Sequence, residues 1–212
     1  MFKKTGSLRA ARFLLVPAFL AGAAGARAQS EQPEAASGYQ PRPAVTGSRY
    51  MAVTANTHAT DAAVEILQLG GNALDAAIAA QWVLNLVEPQ SSGIGGGGFL
   101  LHWDQDRRRV SAWDGRETAH RGANADLWRR ADGSPAGFAE ILATGKAVGV
   151  PGLVAMLEAA HQRHGRLAWE RLFRPAIRLA ENGFAISPRL HLLLRDDPLL
   201  RLDAAARALY YR

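Results

Sequence analysis

The sequence predicts an α+β fold for residues 49–212, on two observations. Segments with apolar residues at helical spacing occur both before and after residues 99–114, and several have a recognisable capping residue. Between them lie two short β-type segments joined by a polar turn, which predicts a hairpin. With 48% hydrophobic residues, the chain can form one core of ordinary size.

The first predicted elements are a strand and a helix. Residues 50–55 have the short, β-leaning composition of a strand. The helix that follows keeps its apolar residues on one face, and we expect Thr60 to cap its start. The pair Gly70-Gly71 ends it, because glycine readily adopts the left-handed conformation that closes helices.

A second helix is predicted over residues 73–87. Asn72 can cap it, and Asp75 in its first turn complements the positive end of the helix dipole. Its many alanines permit close approach of a neighbouring element, and Pro89 marks its end.

The remaining predicted elements are a hairpin and three helices. Residues 99–103 and 110–114 form the strands of the hairpin. Helices are predicted over residues 153–164 and 168–182, and Ser187 opens a third, after which no terminating element is evident.

The glycine-rich run GIGGGG at residues 93–98 has two possible interpretations. It satisfies the GxGxxG pattern of dinucleotide-binding loops, but such a loop follows a strand and precedes a helix. Here a helix precedes and a strand follows, and no Lys-Ser or Lys-Thr pair marks a P-loop. We favour close backbone approach, because glycines allow two segments to pass where a Cβ would clash.

Residues 1–28 have the parts of a cleavable signal peptide. Basic residues come first, an apolar run follows at 13–24, and Ala26-Arg27-Ala28 offers small side chains for cleavage. The alternative, a membrane anchor, is disfavoured because the run is about half the length of a membrane span. Residues 29–48 are predicted to be a flexible linker. We therefore expect an exported protein, periplasmic or secreted, with no membrane partner after signal removal.

Charge and residue usage exclude several partner classes. The net charge is +6, but five of the positive residues lie in the signal, which leaves +1 and no expectation of a nucleic-acid partner. The basic run Arg107-Arg108-Arg109 is predicted to be a solvated hairpin tip. There is no cysteine, and the six histidines lack metal-ligand spacing, so no metal and no cofactor is expected.

An ordered set of motifs carries a family resemblance over residues 50–187. The motifs are GGNALDAA (70–77), EPQ (88–90), GGGGF (95–99), DGRE (114–117), GVPG (149–152) and RPAIRLAENGF (174–184). Each motif alone is weak, but in this order and spacing they resemble the large-subunit portion of the γ-glutamyltransferase (γ-glutamyltranspeptidase) family.

The resemblance implies a fold and an activity. Family members are N-terminal-nucleophile hydrolases with an αββα sandwich, of which residues 49–212 would form an incomplete, large-subunit part. A threonine exposed by self-cleavage attacks a γ-glutamyl amide such as glutathione and forms an acyl-enzyme. Asn56-Thr57-His58 lies too far upstream to be that processing site, so Thr57 is assigned to a helix start. We expect no catalytic residue in this chain, no activity of the chain alone, and a small catalytic subunit as partner.

Arg116 is the predicted substrate-binding residue. From the residues alone, it would be a surface ion-pair partner of Asp114 or Glu117. The resemblance implies instead that it binds the α-carboxylate of the γ-glutamyl group, with Glu117 orienting it. Two alternatives for the whole chain remain open: a related acylase, and a non-enzymatic exported binding module or defunct fragment.

Overall fold

The computed structural model describes residues 43–142 and 144–211. The predicted signal peptide (1–28) and most of the predicted linker (29–42 of 29–48) lie outside the described residues. The regular elements are α1 (Thr57–Gln68), α2 (Ala73–Val87), β1 (Phe99–Asp104), β2 (Arg109–Asp114), α3 (Phe138–Leu142), α4 (Leu153–His164), α5 (Arg174–Asn182), α6 (Pro188–Asp196) and α7 (Ala204–Tyr210). Two 3-10 turns occur at Gly145–Ala147 and Trp169–Phe173. The predicted mixture of helix and strand is confirmed.

Helix α1 starts earlier than the sequence predicted. Asn56 is its cap, since its side chain accepts a hydrogen bond from the His58 amide at 3.0 Å. The prediction that Thr60 caps the helix is therefore wrong, and its hydroxyl lies 2.8 Å from that of Thr54. Thr57 is the first helical residue, as expected, and Gly70 follows the helix with φ of 87°.

Helix α2 has the predicted bounds and the predicted cap. The Asn72 side chain accepts from the Asp75 amide, and the Asp75 carboxylate accepts from the Asn72 amide, both at 3.0 Å. This reciprocal capping box satisfies two backbone donors that a helix start leaves without partners.

The core lies around the α1–α2 pair and the segment from α4 to α5. Ile66 and Ile78 are fully buried, and Trp82 stacks on Phe173 with ring centroids 4.8 Å apart. Trp169 meets Trp82 edge to face at 5.8 Å. These contacts bury the most apolar faces of the helices, which is the main stabilising contribution to such a fold.

The hairpin is a two-stranded antiparallel sheet with Phe99 opposite Asp114 and Asp104 opposite Arg109. Its basic tip is exposed, as predicted, and Arg107 pairs with Asp104 at 3.0 Å. One sheet face packs toward the core through Leu100 and Trp113. The opposite face is apolar and open, with Phe99, Leu101 and Trp103 exposed by 72%, 74% and 52%.

Three other predictions require correction. Residues 50–55 alternate between exposed and half-buried as a strand would, but no backbone hydrogen bond joins them to another described residue, so they form no strand. The predicted helix at 168–182 is a 3-10 turn followed by α5, and Pro175 occupies the first turn of α5, where proline lacks the amide that a continuous helix needs. The chain also continues into α7, capped by Asp203.

Within the described part of the chain, no helix combines the length and the apolar character that crossing a membrane requires.

Candidate functional site

Three chain segments cross at the glycine-rich loop. The Gly98 amide donates to the Gly115 carbonyl at 3.2 Å, and the Gly115 amide donates back to the Gly98 carbonyl at 3.0 Å. A Cβ on Gly97 would lie 2.6 Å from the Gly115 carbonyl oxygen and 2.7 Å from the Arg116 Cα. Real side chains do not tolerate such contacts, so close backbone approach is the role of this loop.

The third segment is the GVPG motif at 149–152. The amides of Gly152 and Leu153 both donate to the Gly96 carbonyl at 3.2 Å. A Cβ on Gly152 would lie 2.5 Å from the Gly115 carbonyl oxygen. The glycines of all three motifs therefore serve one purpose, which is to fix the backbone on both sides of Arg116.

Arg116 comes two residues after the last residue of strand β2 and lies at the border of two cavities. Its side chain is 57% exposed, and its amide donates to the Asp114 carboxylate at 2.9 Å. One cavity has a volume of about 550 Å³ and the other about 590 Å³, and Arg116 lines both of them. Volumes of this order suit small-molecule ligands.

Glu117 forms an ion pair with the guanidinium of Arg116. Its Oε2 lies 3.3 Å from Arg116 Nη1, and its side chain is 29% exposed. The same oxygen packs against Gly97, where a Cβ would lie 2.6 Å away. Glu117 thus lies between the glycine loop and Arg116, in an ion pair with the guanidinium, and its Oε2 has no hydrogen-bond partner among the described residues.

Glu88 of the EPQ motif is a buried charge near the site, and its burial was not predicted from the sequence. It is 3% exposed and accepts hydrogen bonds from the side-chain amides of Asn56, at 2.8 Å, and Gln90. Arg189 of α6 lies 3.5 Å from Oε2, the oxygen that also accepts from Gln90. Since buried carboxylates are rarely tolerated without partners, a charged residue just before Pro89 was the available signal. Glu88 therefore connects the end of α2, just before the glycine loop, to the Asn56 cap of α1 and to Arg189 of α6.

The cavity of about 550 Å³ is lined by the loop between β2 and α4. Its polar lining includes His120, Asn124 and Lys146 as well as Arg116. Glu140 of α3 lies nearby but is engaged elsewhere. Hydrogen bonds from Arg130, then one from the Gly137 amide, hold the pKa of the Glu140 carboxyl below its ordinary value, with a smaller effect of Lys146.

A pair of histidines packs between the hairpin and the end of α4. The rings of His102 and His164 stack with centroids 4.4 Å apart. Burial, and then the neighbouring His102, lowers the pKa of His164 below its ordinary value. The ring planes are 29° apart, and stacked rings direct their nitrogen lone pairs outward within their own planes rather than toward one shared ion. Among residues 43–142 and 144–211, no group of three or more metal-ligating side chains is assembled.

The chain matches curated and solved proteins over most of its length. The glutathione hydrolase proenzyme of Bacillus subtilis strain 168 is 40% identical over 150 residues, which are 71% of this chain and 26% of that protein. The structure of Helicobacter pylori γ-glutamyltranspeptidase aligns with a TM-score of 0.71 and 30% identity, over 80% of this chain and 48% of that one. The cephalosporin acylase of Bacillus halodurans aligns less well, with a TM-score of 0.55 and 27% identity over 74% of this chain and 30% of that one.

The chain thus spans about a quarter of the Bacillus subtilis relative and about half of the Helicobacter pylori structure. Residues 59–212, well over half of the chain, match the model of the gamma-glutamyltranspeptidase family. The chain therefore belongs to the γ-glutamyltranspeptidase family, of which it covers the N-terminal large-subunit portion.

Proposed function

We propose that this chain provides the γ-glutamyl-binding part of an exported γ-glutamyltransferase or glutathione hydrolase. The observation that carries the proposal is the position of Arg116. Three glycine-rich crossings fix its backbone, while its guanidinium is 57% exposed at the border of two cavities.

The chemistry of Arg116 suits the α-carboxylate of a γ-glutamyl group. A guanidinium offers two parallel hydrogen bonds to a carboxylate, whereas lysine offers a point charge without that fork. The existing partner, Glu117, is 3.3 Å from a single nitrogen, Nη1. The other guanidinium nitrogens are consequently free of this ion pair, and the ligand would occupy that side while Glu117 holds the orientation.

Bond cleavage is assigned to a threonine outside residues 1–212. In the proposed reaction, this threonine attacks the γ-glutamyl amide and forms an acyl-enzyme, and the γ-glutamyl group passes to water or an amine. The chain by itself is then inactive and requires a small catalytic subunit. Thr57 is not the nucleophile in this proposal, because it is the first residue of α1 and lines neither of the Arg116 cavities.

The chain is also proposed to supply part of an αββα sandwich. The exposed apolar face of the hairpin, with Leu101 exposed by 74% and Phe99 by 72%, supports this proposal. Sheet faces of this character are normally covered by a second layer. Export rests on the sequence of residues 1–28, and cleavage there would leave the linker and the folded region of 49–212.

A related acylase is the second candidate, since the cephalosporin acylase of Bacillus halodurans shares the fold with a TM-score of 0.55. A transferase must recognise the γ-glutamyl group of its substrate, which carries an α-carboxylate and an α-amine. Binding of a γ-glutamyl ligand through Arg116 would favour the transferase.

The test is equilibrium binding of S-methylglutathione to the purified chain, by calorimetry. Arg116→Lys should weaken binding about tenfold, because loss of one charge-assisted hydrogen bond costs at least about 1.4 kcal/mol. Arg109→Lys, at the exposed hairpin, is the matched control and should leave the affinity unchanged. Equal affinities for parent and Arg116→Lys would remove Arg116 from the site.

A further inference from the structure

The Arg116 cavity of about 550 Å³ contains a second cation, Lys146. Lys146 is in the 3-10 turn Gly145–Ala147, which Val148 separates from the GVPG segment, and Gly152 of that segment packs against the Arg116 backbone. It is also the only lysine after Lys4, in a chain that otherwise uses arginine for its positive charges. A lysine ammonium is a compact charge on a flexible stem, suited to reaching a ligand carboxylate.

Within the described residues, Lys146 forms no ion pair. Glu140 is the carboxylate whose pKa it influences, but Glu140 already accepts two hydrogen bonds from Arg130, at 3.0 and 2.7 Å. It also accepts a third from the Gly137 amide at 3.3 Å. All three bonds go to the same oxygen, Oε2, and the ammonium of Lys146 pairs with neither oxygen of Glu140, so it is available to an anion in the cavity.

Two neutral donors line the same cavity. The Nδ1 atom of His120 accepts a hydrogen bond from the Gly122 amide at 3.1 Å, so the neutral ring carries its proton on Nε2. The side-chain oxygen of Asn124 accepts from the Asp126 amide at 2.9 Å, which leaves its NH₂ group as a donor. Together with Lys146, these groups make one part of the cavity rich in donors, and Glu117 is the only carboxylate among its lining residues.

We infer that Lys146, His120 and Asn124 form a second carboxylate subsite beside Arg116. The ligand class that fits is a γ-glutamyl peptide whose leaving group ends in a carboxylate, rather than a γ-glutamyl amine or anilide. This inference rests on the proposed function, in which Arg116 holds the α-carboxylate of the γ-glutamyl group. The two cations then hold the two ends of one ligand, and Lys146 selects for the charged leaving group.

The experiment compares two ligands that differ only at the far carboxylate: S-methylglutathione and the same compound with its glycine carboxylate converted to the amide. Their dissociation constants are measured by calorimetry on the full chain. The parent should bind the acid about tenfold more tightly than the amide, as expected for loss of one charge-assisted hydrogen bond. A second readout is the NMR signal of Lys146 after reductive ¹³C-methylation, which keeps the positive charge. The acid should shift this signal and the amide should not.

Substitutions at Lys146 test whether this side chain causes the preference for the acid over the amide. Lys146→Met should weaken binding of the acid about tenfold and leave the amide unchanged, so that the two ligands bind equally. Lys146→Arg retains the charge and should keep the preference. Arg109→Met, which removes an exposed hairpin charge outside the cavity, is the control for general electrostatic effects and should also keep it.

The outcomes separate this inference from the proposed function. If the parent binds acid and amide equally while Arg116→Lys weakens both, the second subsite does not exist and the role of Arg116 stands. If the preference survives in Lys146→Met, Lys146 is not its source and the inference is overturned. If the parent binds neither ligand, both proposals fail for this chain.

Discussion

The Asp75→Asn substitution should destabilise the chain strongly although it preserves shape. Asp75 is fully buried, and its Oδ2 accepts backbone hydrogen bonds from Asn72, Arg166 and Leu167 at 3.0, 3.1 and 3.2 Å. Its Oδ1 lies 3.1 Å from the Arg166 amide and 3.6 Å from the ring of His161. One carboxylate thus ties the start of α2 to the loop that follows α4.

The magnitude follows from these contacts. Asparagine can keep one oxygen at the Oδ2 position, so all three backbone donors retain a neutral acceptor. Each bond then weakens from the charge-assisted to the neutral class, a difference of about 1 kcal/mol, which gives about 3 kcal/mol for three bonds. The new NH₂ group also faces the Arg166 amide at the former Oδ1 position, which adds to the cost. A domain of ordinary stability has about 5–15 kcal/mol in total.

Urea unfolding followed by tryptophan fluorescence measures the effect, because Trp82 and Trp169 lie in the core next to these elements. The matched control is Asp61→Asn on the exposed side of α1, which should change the unfolding free energy by less than about 0.5 kcal/mol. If Asp75→Asn changes the unfolding free energy as little as this control does, the carboxylate does not connect α2 to the loop that follows α4.

Two further predictions concern the glycine loop and pH. Gly97→Ala should destabilise the chain, because the new Cβ would lie 2.6 Å from the Gly115 carbonyl oxygen. Gly95→Ala is the control and should not destabilise it, because no atom lies within 4 Å of the new Cβ. Equal melting temperatures for the two variants would contradict the close backbone approach at Gly97. Burial and His102 lower the pKa of His164 in the folded state, so the unfolded chain binds the proton first and stability should fall as pH decreases below about 6.5. His164→Gln should reduce this loss of stability, as measured by the urea midpoints of unfolding at pH 7.5 and 5. If the pH dependence of the midpoint is unchanged in the variant, His164 is not the source of the loss.

The sequence predicted correctly those elements that neighbouring residues determine, such as a helix cap and the strands of a hairpin. Asn72 and Asp75 formed the predicted capping box, and both strands of the hairpin were placed to within one residue at their tip ends. Residues 50–55 were predicted wrongly because strand character is local but strand pairing is not: a strand requires a hydrogen-bonded neighbour. The helix over 168–182 was wrong at its start because tertiary packing of Trp169 and Phe173 on Trp82 stabilises a tighter turn there.

The site was predictable in part. The sequence singled out Arg116 and the glycine loop, but the contacts of Gly97 and Gly152 with Gly115 are visible only in the folded structure. The burial of Glu88 and Asp75 depends on partners more than 30 residues away in the chain, at Asn56 and Arg166, which no local pattern encodes. Lys146 stands out in the sequence as the only lysine after Lys4, but only the fold shows that it lines the same cavity as Arg116.

The central claim is that Arg116 binds the α-carboxylate of a γ-glutamyl group. The most direct measurement is a crystal structure of the chain with bound S-methylglutathione. We expect the α-carboxylate to lie within hydrogen-bonding distance of two guanidinium nitrogens of Arg116, with Glu117 still paired to the guanidinium. A ligand bound with its α-carboxylate on other residues, and Arg116 directed to solvent, would contradict it.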